Sequence, residues 1–404
     1  MMPTPMSRRL AFLFALYVCQ GLPGGFLAVV LPVVLREQGL DLKTIGLASF
    51  LSAPWILKFL WAPLVDRFGF AKLGRHRSWL IPAQLGMLAV TLALSAVHPQ
   101  DDLMLVVLLF LVLNVFAATQ DIAVDGWAVR LLKGEELGPA NSAQVGGFKV
   151  GNLLGGGVLV GLLGTIGWAG DFWLMSALIG CVLMFVILTP EPPSPKPPPQ
   201  KVLPLLWKSL RRQGLGFWGF IMFAKFGETF GGALTKPMLV DHDYTKEMIA
   251  WLDGLLGAMA VIGGAVLAGA LVRRRGWAWT LAGCSVLQGL ALIALGLLTP
   301  GSLPVAVFAP LNMLEAASGG GVAVCIFALA MSRADASIGA TDFTAMQVVY
   351  MAGAFLAAPL GGALGDAAGY LPVFCLSGAM AVTLGLVAPS VGRRFERRSD
   401  TLKM

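Results

Sequence analysis

Charge is the first thing this chain lacks. Asp, Glu, Lys and Arg make up 13% of its 404 residues, where a soluble globular chain carries about 25%. Histidine is scarcer still: His76, His98 and His242 are the only three, and all fall in connections between apolar stretches. That leaves a membrane-embedded hydrolase or acyltransferase without its commonest general base. The five cysteines (Cys19, Cys181, Cys284, Cys325, Cys375) sit inside apolar stretches without CxxC spacing, which excludes a disulfide scaffold and a zinc site. No Gly-rich phosphate loop opens a soluble helix, so no nucleotide-driven machine is expected. The reading at this point is no enzyme, no metal and no cofactor.

Apolar residues are abundant instead. They make up 57% of the chain and give it a mean hydropathy of +0.79, which excludes soluble and disordered classes. Fifty glycines and 24 prolines suit membrane helices better than soluble ones. Twelve apolar segments stand out, at 10–35, 45–65, 78–97, 103–129, 140–163, 172–189, 214–240, 248–271, 278–299, 304–330, 341–364 and 371–391. Each is long enough to cross a hydrocarbon layer of about 30 Å. The fold class expected is an all-α polytopic membrane protein.

A net charge of +7 would suit a nucleic-acid partner if the basic residues formed a patch. They do not. Arg8, Arg9, Arg67, Lys72, Arg75, Arg77, Arg130, Lys133, Arg273, Arg274, Arg275 and the Arg393–Lys403 tail occupy alternate connections. The opposite connections hold only Arg36, Lys43 and Lys246. This bias puts both termini in the cytoplasm and reads as topology, with no nucleic acid.

Thr189 to Pro199 is a polyproline stretch, followed by Val202, Leu203, Leu206, Trp207, Leu210, Arg211 and Arg212 in amphipathic order. A stiff linker and a short helix lying on the inner membrane face are expected there. The chain thus divides into 1–189, a linker 190–213, and 214–404. The halves echo each other: Gly155, Gly156, Gly157 and Gly161 in span five answer Gly361, Gly362 and Gly365 in span eleven. Glycines so spaced let helices approach closely. Repeated six-span halves imply a solute site near mid-membrane and alternating access by rocking.

Ionisable residues inside spans are costly, and each is a functional candidate. Lys149, Lys225, Glu228 and Glu315 fall near mid-membrane. Lys225 and Glu228, at i and i+3, either pair with one another or divide their roles. In the second case Lys149 and Lys225 offer positive charge to an anionic solute, and Glu228 or Glu315 carries a proton. Asp121 and Asp125, at i and i+4, share one face of span four nearer the cytoplasm. They read either as an interfacial pair bonded to Arg130 or other inner basic residues, or as a gate or proton relay. Lys58 either partners one of them or snorkels to the inner surface. Asp241, His242 and Asp243 read as a solvated loop, and Asp253 as an outer, solvated residue.

Trp61-Ala62-Pro63-Leu64-Val65-Asp66-Arg67-Phe68-Gly69 resembles the G-x-x-x-D-R-x-G-R-K signature of the major facilitator superfamily. Asp66, Arg67 and Gly69 match. Ala62 replaces the leading glycine, and Lys72, Arg75 and Arg77 replace the basic pair. Gln20-Gly21-Leu22-Pro23, Pro54-Trp55-x-x-Lys58-Phe59, Gln120-Asp121-x-x-x-Asp125 and Lys225-x-Gly227-Glu228 resemble the branch of AmpG-type muropeptide permeases and acetyl-coenzyme A transporters. Gly138 through Lys149 is similar to the RhtX/FptX-like siderophore importers of that branch. The resemblance implies two pseudo-symmetric bundles of six helices in a bacterial inner membrane. It also implies proton-coupled import of a bulky, anionic organic solute by a monomer amid lipid. A siderophore is the first expectation, with muropeptides and acyl-coenzyme A as competitors and drug efflux or a non-transporting membrane protein as alternatives. Gln20, Lys149, Lys225, Glu228 and Glu315 are expected to meet solute. Asp121, Asp125, Glu228, Glu315, Lys58, Asp66 and Arg67 are expected to couple protons or gate.

Overall fold

A computed structural model describes residues 5–37, 48–70, 72–191 and 202–401. Among these residues the chain is helical, with no strand. The first half comprises α1 (Met6–Glu37), α2 (Ala53–Leu57), α3 (Ala62–Arg67), α4 (Arg77–Ala96), α5 (Leu103–Leu131), α6 (Leu137–Leu153) and α7 (Leu159–Leu188). After α8 (Val202–Gln213) the second half follows. It comprises α9 (Leu215–Gly232), α10 (Thr235–Asp241), α11 (Lys246–Ile249), α12 (Gly257–Arg275), α13 (Trp277–Leu298), α14 (Val305–Arg333), α15 (Gly339–Ala368) and α16 (Tyr370–Thr401). Nine helices among the described residues are long and apolar enough to cross a membrane.

The remaining expected spans are helical in pieces. Span two is a string of short turns between Ala48 and Arg67, interrupted by Pro54 and Pro63, which each remove a backbone donor. Span five carries a π-helical turn at Leu154–Val158, over its glycine run. Span seven breaks at Ala233–Leu234 into α9 and α10. Spans five and six meet inside α7 at Gly167, whose φ of 69° only glycine adopts without strain. The polyproline stretch from Pro192 onward lies outside the described residues.

The chain packs as two compact units. Unit 1 holds residues 1–132, 147–212 and 334–348; unit 2 holds 133–146, 213–333 and 349–404. In unit 1, Phe26, Phe110, Trp168 and Phe172 form an interlocked aromatic core, with ring centroids 4.9 to 6.0 Å apart. Tyr244, Leu292, Leu295, Phe308 and Phe374 fill a corresponding core in unit 2. Of the echoing glycines, Gly155, Gly156, Gly361 and Gly365 pack closely, whereas Gly157, Gly161 and Gly362 face open space; Gly151 and Gly353 add two further close approaches. A Cβ on Gly151 or Gly155 would strike the carbonyls of Val18 or Leu22 in α1. A Cβ on Gly353 or Gly361 would strike those of Met222 or Phe230 in α9.

Polarity is inverted relative to a soluble protein. Leu108, Leu178, Leu267, Leu290 and Leu297 are exposed, whereas Gln84, Asn114, Gln120, Asp121 and Asp125 are buried. Lipid accepts the former and rejects the latter. This is an integral membrane protein.

Candidate functional site

Unit 1 gathers its buried charge on α1, span two and α5. Lys58 lies between two short turns, its side chain 2% exposed, and pairs with Asp121, also 2% exposed. Gln20 Nε2 donates to the other oxygen of Asp121 at 2.5 Å. One helical turn along α5, Asp125 Oδ1 accepts from the Tyr17 hydroxyl at 2.6 Å. Gln347 joins the two carboxylates: its Oε1 accepts from Lys58 Nζ at 2.7 Å, and its side chain hydrogen-bonds Asp125. Two carboxylates therefore accompany one ammonium, which pairs with Asp121, and Tyr17, Gln20 and Gln347 are their neutral hydrogen-bond partners.

This arrangement decides between the earlier alternatives. Lys58 partners Asp121 and does not snorkel. Arg130 lies 3.6 Å from Glu191. Lys149 is half-buried on α6, beside Phe148, whose ring packs on Trp55 at 6.2 Å. Trp55 in turn lies 5.5 Å from Lys58 Nζ and donates to Asn114 Oδ1 at 2.8 Å.

Unit 2 has a matching group. Lys225 pairs with Glu228 on one face of α9, and the two are 26% and 21% exposed. The Tyr350 ring of α15 lies 5.7 Å from Lys225 Nζ. Gln288 Nε2 of α13 donates to Glu315 Oε1 of α14 at 2.9 Å. Gly319 ties the pieces together, because a Cβ there would touch both Gln288 Nε2 and the Glu228 carboxylate. Again two carboxylates accompany one ammonium.

Asp66 does something different. Its carboxylate accepts from the backbone amides of Ala340 at 3.2 Å and Thr341 at 2.7 Å, and from the Thr341 hydroxyl at 2.6 Å. These amides open α15 and have no intrahelical acceptor, so Asp66 caps that helix from a distant part of the chain. Asp342, in the same turn, pairs with Arg212 of α8. Arg67 takes no part in this cap and lies against the Phe68 ring at 5.4 Å. Arg75, in the altered tail of the signature, and Arg130 of α5 both act on Asp66 electrostatically.

A second remote cap sits at the start of α4. Glu191 accepts from the amides of His76 at 2.8 Å and Arg77 at 3.0 Å, and lies 2.7 Å from His76 Nδ1. A carboxylate only accepts, so Nδ1 carries the proton. His76 is fully buried, stacked on Trp127 with an interplanar angle of 2°; it is not the open-loop residue its position suggested. Burial holds its imidazole below the ordinary value against the pull of Glu191. Burial of Glu191 favours its acid form, but the His76 and backbone hydrogen bonds outweigh that and hold the carboxyl below its usual range.

Gly138 and Ser142, from the stretch likened to siderophore importers, pack on α12. The Ser142 hydroxyl donates to Ala265 O at 2.6 Å, and a Cβ on Gly138 would meet Gly269 O. Asp253 lies 3.8 Å from Lys236. The His242 ring lies with Nδ1 2.8 Å from Met238 O and Nε2 3.1 Å from Thr299 O.

A helical membrane protein with buried, charge-bearing clusters in each of two glycine-packed units has the parts of a secondary transporter. The family model of the Major Facilitator Superfamily matches residues 13–358, and the chain belongs to that family. Along its length it is similar to the anhydromuropeptide permease of Escherichia coli strain K12. The two are 29% identical over 397 residues, covering 96% of this chain and 80% of the relative. A putative AmpG-type transporter of Rickettsia conorii is 26% identical over 283 residues, 66% of this chain and 68% of that one. Among solved structures, the facilitator FucP in its outward conformation matches with a TM-score of 0.71 at 14% identity. That match covers 94% of this chain and 98% of FucP. The XylE proton:xylose symporter matches with a TM-score of 0.68 at 13% identity, over 95% and 96% of the two chains. At such identities the structural likeness concerns the fold. The chain is a transporter, not an enzyme.

Proposed function

We propose that this protein is a proton-coupled importer of muropeptides in a bacterial inner membrane. The observation that carries the reading is the end-to-end similarity to an anhydromuropeptide permease, joined to intramembrane charge of both signs. A muropeptide is a bulky sugar-peptide with free carboxylates and hydroxyls, which suits the unit 2 group offering the Lys225 ammonium and the Gln288 amide. It takes precedence over the siderophore expected first, because Gly138 and Ser142, in the early part of the Gly138 to Lys149 stretch that suggested a siderophore, are engaged in helix packing.

Exposure divides the roles. Lys225 and Glu228 are each more than a fifth exposed, so together with Glu315 they are the groups assigned to solute. Lys58 and Asp121 are dry, and their cluster has one carboxylate more than its ammonium neutralises. A proton on Asp121 or Asp125 brings it to neutrality, which makes this pair the proton carrier. Asp66 is the gating residue, through its hold on α15. The halves 1–189 and 214–404 serve as the two bundles around linker 190–213, with both termini cytoplasmic and the monomer as the working unit.

The test is a strain deleted for this gene. Accumulation of anhydromuropeptides in its medium, reversed by the wild-type gene and not by Lys225→Ala, is the expected result. Unchanged muropeptide recovery with lost growth on a ferric siderophore would replace this reading by the siderophore one.

A further inference from the structure

We propose that Asp171 is a proton-exchanging carboxyl of unit 1, separate from both charged clusters. It lies in the first turn of α7 beyond the Gly167 break, at the end of span six that the basic-residue bias assigns to the outer face. Its side chain is fully buried, yet neither carboxyl oxygen has a hydrogen-bond partner. No charged or titratable side chain among the described residues acts on it.

The donors nearest along the chain are committed elsewhere. Trp168 Nε1 donates to Leu94 O at 2.8 Å, Trp173 Nε1 to Ser95 Oγ at 3.1 Å, and the Ser176 hydroxyl to Thr91 Oγ1 at 2.8 Å. All three bonds run from α7 to α4, so the seam between these helices is closed without Asp171. Its neighbours Phe172 and Met175 belong to the apolar core that includes Phe26 and Phe110. A carboxylate placed in such surroundings with no counter-charge neutralises itself by taking a proton. Asparagine would fill the same volume without that proton, so the carboxyl is not needed for shape. The inference does not depend on which solute is carried.

The experiment uses the purified full-length protein, reconstituted right-side-out, with dicyclohexylcarbodiimide as the probe, which modifies protonated carboxyls in apolar settings. We expect an adduct in the peptide containing Asp171, its yield falling as external pH is raised and its signal absent in Asp171→Asn. Infrared spectra should show a protonated-carboxyl C=O band lost in the same variant. A wild-type peptide that stays unlabelled, with a band unchanged in Asp171→Asn, would mean an ionised carboxylate and overturn the proposal. Labelling indifferent to external pH would mean an acid that never exchanges its proton, and would overturn it equally. Should Asp171→Asn fail to fold, Asp171→Glu, which keeps the acid, should retain the label.

Discussion

Replacing Lys58 by methionine removes the ammonium while keeping most of its apolar stem. Lys58 and Asp121 are each 2% exposed, so water cannot take over the lost interaction, and Gln20 and Gln347 remain as neutral neighbours. Breaking a buried pair by deleting one partner costs about 3–5 kcal/mol, because the other charge stays behind. A change of 1 kcal/mol shifts the melting temperature of a unit this size by about 2–4 °C. Lys58→Met should therefore melt about 6–20 °C below wild type, taking both ranges together. Tryptophan fluorescence during heating in detergent reads this directly. The second arm is Lys58→Met with Asp121→Asn, which removes the stranded charge and should regain most of the loss. Acidification should narrow the gap for the single variant, since a proton can stand in for the ammonium. A single variant that melts with wild type, and a double variant no better than the single, would refute the argument.

Other expectations follow from the same geometry. Gly151→Leu should fail to accumulate or melt early, because its side chain meets the α1 backbone at Val18 and Gly21, whereas Gly164→Ala, in open space, should be near neutral. Asp66→Ala leaves the amides of Ala340 and Thr341 without their acceptor. At about 1–3 kcal/mol per stranded buried group, their hydrogen exchange should quicken relative to the rest of α15. For the His76–Glu191 cap, both native values lie below the ordinary ones. The unfolded chain therefore binds more protons, and stability should decline as pH falls below about 6.5 for His76 and, further down, below about 4.3 for Glu191. His76→Gln should abolish the first of these steps in thermal melts taken across pH.

Much of the site could be read from cost alone. Lys58, Asp121, Asp125, Lys225, Glu228 and Glu315 are charges in apolar runs, and such residues persist only with partners. The i, i+3 spacing of Lys225 and Glu228 left pairing as one of two alternatives, and the structure shows the pair. Tyr17, Gln288, Gln347 and Tyr350 escaped notice because neutral polar residues carry no such signature, and their partners are remote in sequence. Gln347 lies 289 residues from Lys58. Glu191 was hidden in a proline-rich stretch that reads as a linker, although it caps α4. For the fold, apolar length located the spans, while the breaks at Gly167, Leu154–Val158 and Ala233–Leu234 depend on contacts that periodicity does not encode.

Transport itself is the sharpest test. Purified protein in liposomes, offered labelled anhydromuropeptide under an inward proton gradient, should accumulate it. Accumulation should collapse when the gradient is dissipated, and Asp121→Asn and Asp125→Asn should exchange solute without concentrating it. Gradient-driven uptake that survives both substitutions, or no uptake above protein-free liposomes, would contradict the account.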